Sequence, residues 1–292
     1  MMSNELAHHA ATLVKNALEE DLGRAGDITS LAIFSQQDRG RARIRAKENG
    51  IISGLDLLEP LFHEIDPALE VAVGAVDGNT VAAGRELCRL SGSIRSILAG
   101  ERIALNLLQR LSGIATRTHG LAARISHTAA QVLDTRKTTP GLRVFEKQAV
   151  LAGGGVNHRW GLYDMILIKD THVKAAGGVT EALRRAQAYV KNRHPGIRIE
   201  IEVQNERECR EATGSKPDII MLDNMDIPEL HSCVELIRAA SGNILAEASG
   251  NINEETICAV AETGVDYISC GALTHSVKAL DIHLVMLEEA DG

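Results

Sequence analysis

The sequence predicts an α/β protein: a separate N-terminal α+β domain followed by a C-terminal incomplete TIM-like α/β barrel. Length is the first observation behind this, because 292 residues exceed what one ordinary core organises and leave one large barrel or two domains. The second is a regular alternation of short apolar strands with helical stretches from about residue 131 onward, since repeated βα units imply a parallel sheet. The third is a different texture over 1–112, where charged and small apolar residues alternate and longer helical patterns intervene. The expected domains are therefore 1–112 and 113–275, with a C-terminal helix within 276–292 packing back on the first domain. No Pro- or Ser-rich linker separates them.

Taken in order, Met1 to Asp21 predicts a short amphipathic helix on Leu13, Val14, Ala17 and Leu18. Glu5, Glu19, Glu20 and Asp21 leave it no apolar signal region, so a cytoplasmic protein is expected. Arg41 to Glu48 alternates, and Ile51 to Phe62 predicts a strand end running into a helix. Leu69 to Val76 and Glu86 to Ser91 predict strands. Ser93 to Arg110 predicts a long helix, apolar at Ile97, Ile103, Leu107 and Leu108. Six barrel strands follow, at Gln131 to Asp134, Met165 to Ile168, Ile197 to Val203, Asp218 to Leu222, Asn243 to Ala246 and Val265 to Ser269. Six is fewer than the eight of a full barrel. Val179 to Asn192, with Ala182, Leu183, Ala186 and Val190 at helical spacing, and Glu254 to Thr263 predict helices between strands. Lys278 to Glu289 predicts the last one.

Composition excludes several classes of function. No apolar run approaches the roughly 18 residues of a membrane span, so no membrane partner is expected. The 5 cysteines, at Cys88, Cys209, Cys233, Cys258 and Cys270, are odd in number and unclustered, which argues against both a disulfide framework and a zinc centre. A net charge of -8 with 2% aromatic residues gives neither a general basic face nor stacking platforms, so nucleic acid is not an expected partner.

The net charge conceals a local reversal. Arg136, Lys137, Arg143, Lys147, Arg159 and Lys169 crowd a short, Gly-rich stretch, and such a field concentrates anionic small molecules. Arg136, Lys137, Lys169, Glu202, Asp223, Ser249, Gly250 and Gly271 all fall at or just past the C-terminal ends of predicted strands, where barrel enzymes collect their functional groups. The turns at Ser249-Gly250-Asn251 and Gly271-Ala272 suit a phosphate bound by backbone N–H groups. Glu200 and Glu202 share one strand face by period two. If that face points inward, they need cationic or metal partners. Glu202 and Asp223 could hold Mg²⁺ with waters and substrate oxygens, accept from ribose hydroxyls, or pair with Lys169. His158 follows a Gly-Gly-Gly-Val-Asn leader; His172, His8, His9 and His63 have weaker claims to a chemical role. Lysines at strand ends would also serve a Schiff-base aldolase, but flanking Arg136 and Arg159 suit a dianion better than an aldehyde.

Several ordered motifs resemble the quinolinate phosphoribosyltransferases, also called carboxylating nicotinate-nucleotide pyrophosphorylases, of the type II phosphoribosyltransferase family. They are Glu101-Arg-Ile-Ala-Leu-Asn106, Asp134-Thr-Arg-Lys-Thr-Thr-Pro-Gly-Leu-Arg143, Gly153-Gly-Gly-Val-Asn-His-Arg159, Ile168-Lys-Asp170, Glu200-Ile-Glu-Val203, Leu222-Asp-Asn224, Glu247-Ala-Ser-Gly250 and Ser269-Cys-Gly-Ala-Leu-Thr-His-Ser276. The resemblance implies an N-terminal α/β sandwich domain before the incomplete barrel, and phosphoribosyl transfer from 5-phosphoribosyl 1-pyrophosphate to quinolinate with loss of CO₂, in de novo NAD synthesis. It implies Mg²⁺ at Glu202 and Asp223, directly or through water, and no organic cofactor. Lys137, Lys169, Glu202 and Asp223 would be catalytic. Substrates would also meet Thr135, Arg136, His158, Arg159, Ser249, Gly250, Asn251, Cys270, Gly271, Ala272 and His275. Arg102 would reach in from a partner subunit, which implies a homodimer or higher homo-oligomer. Gln148, Leu151-Ala152 and Thr171 depart from the common pattern without removing a charged group.

Overall fold

The computed structural model describes residues 4–240 and 242–288. Its strands are β1 Arg39–Ala46, β2 Gly50–Ile51, β3 Glu70–Val73, β4 Thr80–Val81, β5 Glu86–Ser93, β6 Gln131–Leu133, β7 Ile166–Ile168, β8 Ile199–Val203, β9 Ile219–Asp223, β10 Leu245–Ser249, β11 Tyr267–Ser269 and β12 Ile282–Met286. The chain divides into two compact units that no single cut in the sequence separates: 1–119, 138–154 and 276–292 form one, and 120–137 and 155–275 the other.

In the first unit β12, β1, β5 and β3 form an antiparallel sheet in that order. The alternation in β1 explains its two faces: Ala42, Ile44 and Ala46 are buried, while Arg41, Arg43 and Arg45 point the other way. The buried face belongs to one core with Val14 from helix Asn4–Leu22, Leu58, Leu61 and Phe62 from helix Leu58–Ile65, and Ile97 and Leu108 from helix Ile94–Arg124. Fully burying a side chain of this size contributes roughly 1.5–3 kcal/mol each. The helix expected to end at Arg110 continues to Arg124, because Leu111, Ile114, Ala115 and Leu121 keep the apolar side buried.

Segment 138–154 sits in this unit for a visible reason. Glu146, fully buried on helix Arg143–Ala152, pairs with Arg110 at 2.7 Å, and Arg110 also donates to Thr139 Oγ1 at 2.7 Å. Glu146 has no exposure while Arg110 is partly open, so removing Arg110 would leave a buried carboxylate without its cation.

The expected C-terminal helix is a strand instead. Residues Ile282–Met286 form β12, which pairs antiparallel with β1, while the part of the expected helix beyond residue 288 lies outside the described residues. Leu280, Leu284 and Leu287 satisfy helical spacing, but Leu280, Ile282, Leu284 and Met286 satisfy period two equally, and pairing to β1 decides between them.

The second unit is the incomplete parallel barrel that the sequence predicts. Its six strands run β6-β11-β10-β9-β8-β7, with every pair parallel. Among the described residues β6 and β7 do not pair, so the ring stays open between them. Ile199, Ile201, Ile220, Leu222, Ala246, Ala248 and Ile268 are buried on one face of the sheet. The alternate positions carry the polar groups. Aligned register sets them in layers: Glu247 lies beside Met221 and Tyr267, and Ser249 beside Asp223 and Ser269.

Candidate active site

A cleft of about 500 Å³ within the second unit is lined by Thr135, Arg136, Lys137, His158, Arg159, Lys169, Glu202, Asp223 and Ser249, all expected from sequence. Leu167, Met221, Asn224, Glu247 and Ser269 complete the lining. One polarity dominates one part of the wall. The buried Nε–H groups of Arg136 and Arg159 find no acceptor among the described residues. Arg159 is anchored by donating Nη1–H to the Met165 carbonyl at 3.0 Å. Burial first, and then the Arg136 charge, lowers the Arg159 guanidinium from its usual range; Glu200 opposes that shift. Two guanidinium groups kept together with donors unmet form a site for an anion, since an unsatisfied buried donor costs about 1–3 kcal/mol.

Lys169 ends β7 and meets Glu202 on β8 at 3.1 Å, so the pairing foreseen for these two exists. Asp223, at the tip of β9, accepts from Asn224 Nδ2 at 2.8 Å. The turn after β10 needs glycine: Gly250 has φ 99°, and a Cβ there would collide with the Asn224 side chain. Asn251 Nδ2 lies 3.4 Å from Asn224 Oδ1, so this turn and the tip of β9 form one rim. Past β11, a Cβ on Gly271 would lie 2.7 Å from Lys137 Cδ and 3.3 Å from the His275 ring. The absent side chain is what lets Lys137 lie across that turn. Thr274 Oγ1 fixes the arrangement by donating to the Lys137 carbonyl at 2.9 Å. Ala272 and His275 lie in the short helix Ala272–His275 that follows.

Other expectations fall outside the cleft. The Cys270 side chain is buried, its thiol directed to the Ile252 carbonyl. Arg143 and Lys147 lie on helix Arg143–Ala152 in the other unit, where Lys147 is wholly buried. Arg102 is exposed in that unit too, on helix Ile94–Arg124. His172 plays a structural part, because its Nδ1 accepts the Lys169 N–H at 2.9 Å and caps helix Asp170–Ala176.

Beneath the cleft lies a group that sequence reading only half identified. Glu200 and Glu247 are wholly buried and converge on His158 Nε2 at 3.0 and 3.6 Å. Burial, reinforced by the Glu200 charge, pushes the Glu247 carboxyl up to about 8. Burial likewise raises Glu200 to about 7, against the pull of Arg159. The signal for Glu247 was its place two residues before Ser249 on one strand.

Two family models describe the chain: quinolinate phosphoribosyl transferase, N-terminal domain, over residues 27–112, and its C-terminal domain over 114–285. The chain belongs to the quinolinate phosphoribosyltransferase family. It is 44% identical over 284 residues to quinolinate phosphoribosyltransferase [decarboxylating] 2b, mitochondrial, of Nicotiana tabacum, a match covering 93% of this chain and 80% of the relative. To the probable nicotinate-nucleotide pyrophosphorylase [carboxylating] of Bacillus subtilis it is 42% identical, over 93% of this chain and 91% of the relative. Among solved structures, the nicotinate-nucleotide pyrophosphorylase of Francisella tularensis superposes with a TM-score of 0.90 at 37% identity, covering 98% of each chain. Family membership extends over both compact units.

Proposed function

We propose that the protein transfers the phosphoribosyl group of 5-phosphoribosyl 1-pyrophosphate to quinolinate and releases CO₂, giving nicotinate mononucleotide and pyrophosphate. The observation that carries this reading is the pair of unmet guanidinium donors, Arg136 and Arg159, sharing a cleft with Lys137, Lys169, Glu202 and Asp223. A vicinal dicarboxylate supplies the acceptors that the two arginines lack. Lys137, against the Gly271 turn, meets the phosphates of the donor.

The pyridine nitrogen attacks the anomeric carbon as the bond to pyrophosphate breaks. Lys137 and Lys169 offset the charge that leaves with pyrophosphate, and Glu202 or Asp223 offsets the positive charge developing on the sugar. Once the ring nitrogen is quaternary, the 2-carboxylate departs as CO₂. Its electron pair stays on the ring carbon beside N⁺, which then takes up a proton. The substrate thus supplies its own electron sink, and no organic cofactor is invoked.

Mg²⁺ fits the carboxylates present, since the ion favours one or two carboxylates with waters and substrate oxygens. Asp223 is the more open ligand, because Glu202 already holds Lys169. When bound, the ion would neutralise the leaving pyrophosphate. A homodimer in which Arg102 serves the neighbouring subunit belongs to the same proposal. Mixing Arg102→Ala with Lys137→Ala protein would then restore some activity through hybrid dimers, and no recovery despite subunit exchange counts against it. Cytoplasmic residence is a further part of the proposal and is checked by fractionation. Among the described residues no helix is long and apolar enough to cross a membrane.

The deciding assay incubates the protein with quinolinate, phosphoribosyl pyrophosphate and Mg²⁺ and measures CO₂ and nicotinate mononucleotide. Formation of both in equal amounts is expected. A protein that binds both substrates and releases neither product would overturn the reading.

A further inference from the structure

We infer that His158 is the neutral tautomer with its proton on Nε2, fixed at Nδ1 by the Arg159 backbone, and that Glu200 and Glu247 are positioning residues beside Nε2, giving a cation-rich cleft an uncharged ring in its floor. The tautomer follows from the hydrogen bond at one ring nitrogen, because the carboxylates near the other stand at contact distance without hydrogen-bond geometry. At Nδ1, the backbone N–H of Arg159 approaches at 2.7 Å. That group can only donate, so Nδ1 is the bare acceptor nitrogen. The proton of a neutral ring is then on Nε2, which faces Glu200 at 3.0 Å and Glu247 at 3.6 Å. The ring's backbone is fixed as well, because the His158 N–H donates to Asp134 Oδ1 at 2.9 Å.

The same network decides against a metal. His158, Glu200 and Glu247 place their possible ligand atoms within 4.8 Å of one another, compact enough to surround an ion. A metal on Nε2 would require the proton to move to Nδ1, where it would face the Arg159 N–H donor head-on. Metal-bound histidines instead donate from the second nitrogen to an acceptor. The cluster therefore reads as an orienting device.

Its reach extends to the anion-binding wall. Glu200 is close enough to Arg159 to act on its charge, and Arg198, Lys169 and Glu202 act on Glu200 in turn. Asp134 and Ser269 act on Glu247 alongside His158 and Glu200. Burial disfavours charge on these carboxyls, and a neutral His158 adds no positive charge to the two arginines above it. Carboxylate recognition thus falls to Arg136, Arg159 and Lys169, and His158 sets the shape against which the acceptor ring is seated. This catalytic meaning rests on the reaction proposed above; the tautomer itself does not.

The test is nitrogen NMR of the full chain with isotope-labelled histidine, the His158 signals being assigned by their loss in His158→Gln. Two widely separated ring signals are expected, with the protonated nitrogen assigned to Nε2. Glu200→Gln and Glu247→Gln keep a carbonyl acceptor and should preserve this pattern. Glu200→Leu combined with Glu247→Leu leaves the Arg159 N–H on Nδ1, and so the tautomer, but removes the groups that Nε2 faces and should let the ring reorient. In that double variant kcat should fall on the order of 10- to 100-fold, with a smaller change in the quinolinate KM and recovery in the Gln variants.

An imidazolium signature in the wild type, a proton on Nδ1, or a shift of Nε2 on adding Zn²⁺ would each overturn the inference. So would a folded double Leu variant with unchanged kcat. Should that variant fail to fold, the wild-type and Gln spectra still decide. The spectrum reads His158 whether or not the chain consumes quinolinate, so failure of the proposed reaction and failure of this inference remain distinguishable.

Discussion

Glu200 and Glu202 stand two residues apart on β8, point to the same side and have opposite surroundings. The Glu202 side chain is 10% exposed and meets the half-exposed Lys169, at a place where a ligand can compete for either partner. Glu200 has no exposure and meets His158 and Glu247. The pleat gives the two the same direction, and about two residue rises of depth, some 7 Å, give them different chemistry. Near the rim a carboxylate can exchange partners with substrate or cation. Below it, the carboxylate faces buried protein groups, and ionisation works against burial.

The largest effect that could break this contrast concerns the rim. With Arg136, Arg159 and Lys169 supplying more positive charge than one carboxylate neutralises, quinolinate should exceed nicotinate in kcat/KM by on the order of 10³-fold. Equal values from the two acids would show that the cation cluster does not read the second carboxylate. Next in size, Lys169→Ala should lower kcat/KM roughly 10²-fold with little change in Tm, since Lys169 is half exposed and its pairing at the rim adds little to stability. A large fall in Tm with normal turnover would place Lys169 among the structural groups.

The floor should show the opposite response, in stability. The raised Glu247 carboxyl keeps its proton in the folded chain where the unfolded chain has already lost it. Stability therefore falls as pH rises from the ordinary value of 4.5 to about 8, and levels off above. Glu247→Gln cannot ionise, so relative to wild type it should gain roughly 5 °C in Tm at the alkaline end of that window. Parallel Tm curves for the two proteins would mean that the carboxyl is ionised in both states. Smallest is the turn at the rim: Gly250→Ala should cost about 1–2 kcal/mol by denaturant unfolding, through its positive φ and its contact with Asn224.

The same residues show how far the sequence foretold the site. Lys169, Glu202, Asp223 and Ser249 were legible because each ends an apolar run, and parallel strands deliver their ends to one place. Gly271 was legible as a turn, though its closeness to Lys137 was not, for nothing local relates residues so distant in sequence. Glu247 was passed over because a single acid within Ile244-Leu-Ala-Glu-Ala-Ser249 is seen to face inward only once register sets it beside Met221 and Tyr267. Arg143 and Lys147 were grouped with the cations by proximity in sequence, yet the Arg110–Glu146 pair draws their helix into the other unit. Likewise β12 depends on a partner more than 230 residues earlier, which local periodicity cannot choose.

The open seam of the barrel carries one more consequence. A sheet that does not close has two borders whose backbone groups invite a stray strand from another molecule. Here both borders are stubs: β6 and β7 are 3 residues each, and Val156 already bridges to Leu133 along one of them. So little unpaired ladder gives an intruding chain almost no template, and the fold keeps its opening without becoming sticky.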